Sequence, residues 1–142
     1  MPCPAARRVA RRLGRRGAIL TCYGSVWAVY GWAQLITPQP DQRGLGPALH
    51  VMPLVAWAWL WVVSGVIAAM AAWLPEGRDW PGFLSLPLIV LPWTVSYFMS
   101  WAVGDAPRGW VSSVVWAAIA APVLVVAGWD EPTRHKRVGV VR

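Results

Sequence analysis

The sequence predicts an all-α membrane protein, with four transmembrane helices in an antiparallel, up-down-up-down bundle. Three observations carry this expectation. Of 142 residues, 57% are hydrophobic and only 13% are charged. The intervals 17–40, 44–75, 80–104 and 109–129 contain no Asp, Glu, Lys or Arg, and each matches or exceeds the ~20 apolar residues that cross a ~30 Å hydrocarbon core as helix. Ten of the thirteen basic residues lie in the two ends of the chain. A soluble fold would have to bury four stretches that are apolar on every side, and a chain this short has no outer layer to do so.

Residues 1–16 read as a basic cytoplasmic arm. Within AARRVARRLGRR, Arg7, Arg8, Arg11, Arg12, Arg15 and Arg16 recur as pairs every four residues. One continuous helix would gather all six along a broad side. Anionic headgroups attract such a face by about 1 kcal/mol per basic residue; simple membrane orientation also accounts for it. The net charge of +7 is explained by this terminal clustering, so no nucleic-acid partner is expected.

Residues 17–129 form the expected membrane domain, with spans at about 17–37, 50–74, 82–103 and 109–129. In the first span Gly17, Gly24 and Gly31 recur at seven-residue spacing. In the second, Ser64, Gly65, Ala68 and Ala72 make a similar small-residue face. Small residues let membrane helices approach closely, within one bundle or between copies. An alternative makes the first span a signal peptide, with Arg15-Arg16 ahead of it and Gly31-Trp32-Ala33 as a cleavage site. The length of the run and its Trp27, Tyr30 and Trp32 argue for a retained span.

A loop rich in Pro and Gly, PQPDQRGLGP, joins the first two spans, and tighter turns join the rest. Short connections make neighbours antiparallel. Pro53 and Pro81 stand near span starts, where a missing N–H matters little, while Pro87, Pro92 and Pro122 fall deeper and should bend their helices. Trp73, Trp80, Trp110 and Trp129 stand where interfacial anchors belong. The third span carries the most polar face, Trp93, Tyr97, Ser100 and Trp101, with Thr94 and Ser96 nearby. That face reads either as a pocket lining or as a surface turned to the bundle. Residues 130–142 read as a second basic cytoplasmic tail. With both termini cytoplasmic, an even number of spans follows.

Gln34 and His50 would share the outer interface as a solvated pair, with too few ligands for a metal. Cys3 and Cys22 make no disulfide framework. No Asp, Glu, Lys, Arg or His lies inside a span, His50 only opening the second, and such residues mark proton relays and coupled transport. Small multidrug-resistance exporters share the size but depend on an acidic residue in the first span, which is missing here. Neither a catalytic dyad nor a nucleotide loop appears, so no enzyme and no cofactor are expected.

The RRLGRRGAIL start, the YGWAQLITPQPDQRGL turn and the Trp-dense spans resemble small four-span membrane proteins of actinobacteria and their bacteriophages. The resemblance implies an origin and lends no residue roles. Two functional classes stand side by side. One is a non-enzymatic scaffold or accessory subunit that contacts lipid, copies of itself or other membrane proteins. The other is a phage holin-like protein that oligomerises and permeabilises the membrane.

Overall fold

A computed structural model describes residues 4–38, 43–75 and 77–128, with side chains from residue 14 onward. Among the described residues the regular structure is all helical, in the order α1 (Pro4–Ile36), α2 (Gly46–Val51), α3 (Leu54–Ala71), α4 (Trp80–Ala102) and α5 (Gly109–Ala127). α3, α4 and α5 are each long and apolar enough to cross a membrane. α1 has the length, but its apolar half carries Thr21, Tyr23, Ser25, Tyr30 and Gln34. The tail 130–142, Trp129, the loop tip at 39–42 and Cys3 lie outside the described residues.

α1 breaks at Gly14, whose φ of 63° and ψ of −172° are not helical. Only glycine takes a positive φ without steric cost. This corrects the continuous basic helix expected of the arm. Arg7, Arg8, Arg11 and Arg12 precede the break while Arg15 and Arg16 follow it, so no single continuous helix runs through all six positions.

Beyond the break, one stripe of α1 is buried: Gly17, Leu20, Gly24, Trp27, Gly31 and Gln34. The alternating three- and four-residue steps keep these positions on one helix face. Its main partner is α3, whose buried face holds Trp57, Ala58, Trp61, Ser64, Gly65, Ala68 and Ala71. A Cβ added to Gly24 would stand 2.6 Å from the Gly65 carbonyl oxygen; one on Gly31 would stand 2.6 Å from that of Ala58. These glycines therefore let the two backbones touch.

α3 packs in turn on α4, and α4 on α5. Ser64 Oγ donates to the Ser85 carbonyl at 2.8 Å, and a Cβ on Gly82 would meet Ala71 at 2.7 Å. The helix labelled α4 runs through Pro87 and Pro92, and α5 through Pro122. The expected second span is divided. Met52 is extended (φ −157°, ψ 156°) ahead of Pro53, as the residue before proline is pushed out of the helical region. His50 thus belongs to the short α2 and stands apart from the long helix.

Outward, the long helices are covered in apolar side chains. Val55, Trp59, Val63 and Met70 of α3 are exposed, as are Leu84, Leu88, Leu91 and Val95 of α4 and Val114, Val115, Leu124 and Val125 of α5. Soluble monomers rarely expose contiguous patches of this kind. Hydroxyls on or near that surface are hidden within their own helix. Thr21, Ser25 and Thr94 each donate to the carbonyl four residues back, which satisfies the group without water.

Candidate functional site

Three features of the bundle could carry a function: a basic end, an aromatic centre and a cleft at the opposite end.

At the first end, Arg16 ties three helices together. Its Nε donates to Asp79 Oδ2 at 2.8 Å and a second guanidinium nitrogen reaches Oδ1 at 3.2 Å. The remaining nitrogen donates to the Ala127 carbonyl at 3.1 Å, and the guanidinium carbon lies 4.6 Å from the Phe83 ring centre. The side chains are 14% and 6% exposed. A carboxylate at the start of α4 and a cation at the end of α5 both suit the helix dipoles, and the planar fork matches the carboxylate. Arg15, by contrast, is exposed. Side-chain positions of Arg7, Arg8, Arg11 and Arg12 lie outside the described residues.

The centre is aromatic. Trp61 meets Trp27, Tyr30, Trp93 and Trp116 with ring centres 4.8 to 5.7 Å apart, so one α3 side chain touches α1, α4 and α5. Three indoles donate: Trp27 to the Leu86 carbonyl, Trp57 to that of Ala48 and Trp93 to the Tyr30 hydroxyl. Trp61 Nε1 and Gln34 Oε1 are buried with no hydrogen-bond partner. Gln34 is only 6% exposed and its amide donates to the Tyr30 hydroxyl at 3.0 Å. This corrects the solvated Gln34–His50 pair: Gln34 occupies the buried stripe, while His50 is exposed and turns to the Gly46 carbonyl.

The expected polar face of the third span divides. Trp93 and Ser100 are buried, Tyr97 is half-buried, and Trp101 is 42% exposed beside Phe98. One residue turns the helix by about 100°, which carries Trp101 out of the stripe that holds Ser100. Ser96, a neighbour in the sequence reading, does more: its buried hydroxyl accepts from the Ala48 N–H and donates to the Gly44 carbonyl, pinning α2 to α4. Gly17, Gly24, Gly31, Ser64, Gly65, Ala68 and Ala72 are all buried. Gly82 and Gly109 were missed by sequence reasoning because each follows a turn. An added Cβ would meet Ala71 at the first and the Tyr97 carbonyl, at 2.5 Å, at the second.

At the far end, a cleft of about 440 Å³ opens between the end of α4, the following turn and the start of α5, lined by Arg43, Tyr97, Pro107, Arg108, Gly109 and Ser112 among others. A separate groove of about 360 Å³ runs between α4 and α5, from Thr94 and Ala117 to Leu84 and Leu124. Among the described residues no His, Cys, Asp and Glu cluster could hold a metal.

With this geometry in view, known proteins offer no guide. No family model, curated protein or solved structure matches the chain. Function has to be argued from the bundle itself.

Proposed function

We propose that this is a multi-pass protein of the cell membrane, crossing it four times with both termini cytoplasmic, and serving as a non-enzymatic scaffold or accessory subunit. One observation carries the reading: the outer faces of α3, α4 and α5 are apolar, while the space between the helices is filled by tryptophan, larger aliphatic side chains and alanine. Such a body suits lipid on the outside and offers substrate no wet path within.

Several pairings support α1 as the fourth span and an up-down-up-down order. Gly24 lies by Gly65 and Gly31 by Ala58, while Ser64 lies by Ser85 and Trp57 by Trp93. In each pair one helix number rises as its partner's falls. The Arg16 contacts bring the start of the α1 apolar half to the start of α4 and the end of α5. That joint end also lies next to the basic arm, which favours a cytoplasmic position. Anionic headgroups there, and other helices on the apolar faces, are the partners this reading names. A homo-oligomer is one form they take.

The test is controlled induction in a bacterium with a voltage-sensitive dye. A scaffold leaves the membrane potential unchanged at moderate expression. Abrupt depolarisation after a defined delay would instead establish the holin-like alternative.

A further inference from the structure

We infer that α2 is a lid: residues 44–52 lift as one unit and uncover Trp57 at the end of the bundle opposite the basic arm, while the four long helices stay assembled. This movable element goes beyond the scaffold reading and holds whichever way the chain crosses the membrane.

The sequence sets α2 apart at both ends. Pro53 forces the residue before it out of the helical region, and Met52 is extended, so the ladder of α3 does not run on into α2. On the other side Gly44 has a φ of +93°, a conformation that glycine takes without steric cost. Between them lies a helix of six residues, Gly46–Val51. Isolated helices shorter than about 12–15 residues are marginal in water, so α2 persists only as far as the bundle holds it.

That hold is narrow. Ser96 Oγ accepts from the Ala48 N–H at 3.1 Å and donates to the Gly44 carbonyl at 3.0 Å. Trp57 Nε1 donates to the Ala48 carbonyl at 2.9 Å. Leu45 and Ala48 are buried, whereas Pro47, His50 and Val51 face outward. Among the helices the main partner of α2 is α4. α3, by contrast, is clasped by α1 at the Gly24–Gly65 and Gly31–Ala58 crossings and by α4 at Ser64. Elements with few buried apolar groups open locally at a fraction of the global free energy. α2 is such an element; α3 cannot leave without dismantling the aromatic centre.

Both joints can turn. Gly44 is seated on the Tyr97 ring, where a Cβ would lie 2.5 Å from the nearest ring carbon, and Met52 supplies an extended link. Hinges are a few residues at element ends that absorb a change in φ and ψ. Arg43 precedes the first joint and stays with the bundle. Lifted, the lid bares the Ser96 hydroxyl and the Trp57 N–H beside Trp93, whose ring centre is 5.2 Å from that of Trp57. With the lid shut, these same groups hold peptide carbonyls and one peptide N–H.

Hydrogen–deuterium exchange of the full chain in detergent, read by mass spectrometry, tests this. Amides of 45–52 should be protected, yet exchange at least about tenfold faster than those of 57–70 and 83–95. Ser96→Ala should speed exchange across 45–52 about tenfold, the scale of its two lost hydrogen bonds, and leave 57–70 and 83–95 unchanged. Gly44→Ala, strained at its positive φ and against Tyr97, should act in the same direction, and it serves should Ser96→Ala not fold. Thiol labelling gives a second measure in a chain lacking Cys3 and Cys22. Ala48 and Ala68 are both buried, but Ala48→Cys should react with a small thiol reagent while Ala68→Cys stays protected. Exchange in 45–52 as slow as in 57–70 would overturn the lid, because α2 would then open only with the whole bundle. Unprotected exchange there would overturn it as well, since nothing would be shut. A Ser96→Ala effect spread equally over α3 and α4, or equal labelling of the two cysteines, would replace the lid with a fixed structural post.

Discussion

Gly24 of α1 and Gly65 of α3 oppose each other backbone to backbone, each leaving no room for a Cβ on the other: one added to Gly24 would lie 2.6 Å from the Gly65 carbonyl and 2.9 Å from the Ala69 nitrogen. Neither neighbouring atom is a side chain that can swing aside. Overpacking of a core costs about 1–3 kcal/mol, and a backbone clash belongs at the upper end. Gly24→Ala should therefore lower stability measurably and Gly24→Leu or Gly65→Leu more so. Val115→Leu, on an exposed face of α5, should change little. Thermal unfolding in detergent checks this, and equal stability of all these variants would remove the close crossing.

The Arg16–Asp79 pair should be costly to halve. Removing one partner of a buried pair leaves the other uncompensated, at a cost of about 3–5 kcal/mol; residual exposure of Arg16 puts the expectation near the lower figure. Arg16→Gln and Asp79→Asn should each destabilise, and the double variant should cost less than their sum. Arg16→Lys should fall between, since it keeps the charge but loses the fork. Exchanging the two charges should fail, because a carboxylate at position 16 would face the Ala127 carbonyl and the Phe83 ring. A double-mutant cycle with strictly additive effects would show the pair to be uncoupled.

The buried tryptophans should separate by what their N–H does. Trp57→Phe and Trp27→Phe each lose a bond to a carbonyl, whereas Trp61→Phe removes a donor with no partner. The first two should cost about 1 kcal/mol more than the third. Trp61→Ala should cost about 3–5 kcal/mol through the cavity it opens. Denaturant titration in micelles gives the order; Trp61→Phe matching Trp57→Phe would mean that the Trp61 N–H has a partner after all.

For topology, the proposal expects a cysteine at Asp105, on the far turn, to react with an impermeant thiol reagent in intact cells, and one at Gly77 to stay protected. Cys3 and Cys22 are replaced first, because Cys22 is a free, exposed thiol. The reverse labelling pattern would invert the bundle.

The helical class was legible because uncharged intervals bounded by charge and proline leave few alternatives to long apolar helices. Their inner faces were much harder to read. A helix apolar all round has little periodic pattern; the one inner-face signal in 54–71 was the small-residue run Ser64, Gly65 and Ala68, whose face includes Trp61 one turn back and leaves Trp59 outside it. Tryptophans such as Trp73 and Trp80 were read as interfacial anchors, and both are exposed at helix ends; Trp27, Trp57, Trp61 and Trp93 instead fill the interior. Arg16 was read as one charge among six, since its partner Asp79 lies 63 residues away. A signal did exist: Asp79 is an acidic residue directly abutting a span. The break at Met52 was likewise open to reading, because proline constrains the residue before it.

The rings around Trp61 also decide how this protein can be watched. Indoles with centres 5.2 to 5.7 Å apart and steeply tilted planes couple their electronic transitions, and the resulting exciton bands overlap those of the amides. Far-ultraviolet circular dichroism will therefore misstate helix content here, and on heating its signal will mix separation of the rings with melting of the helices. Infrared amide absorption, blind to that coupling, is the better gauge of helicity. The indole couplet becomes an optical reporter of whether the helices around Trp61 are still assembled.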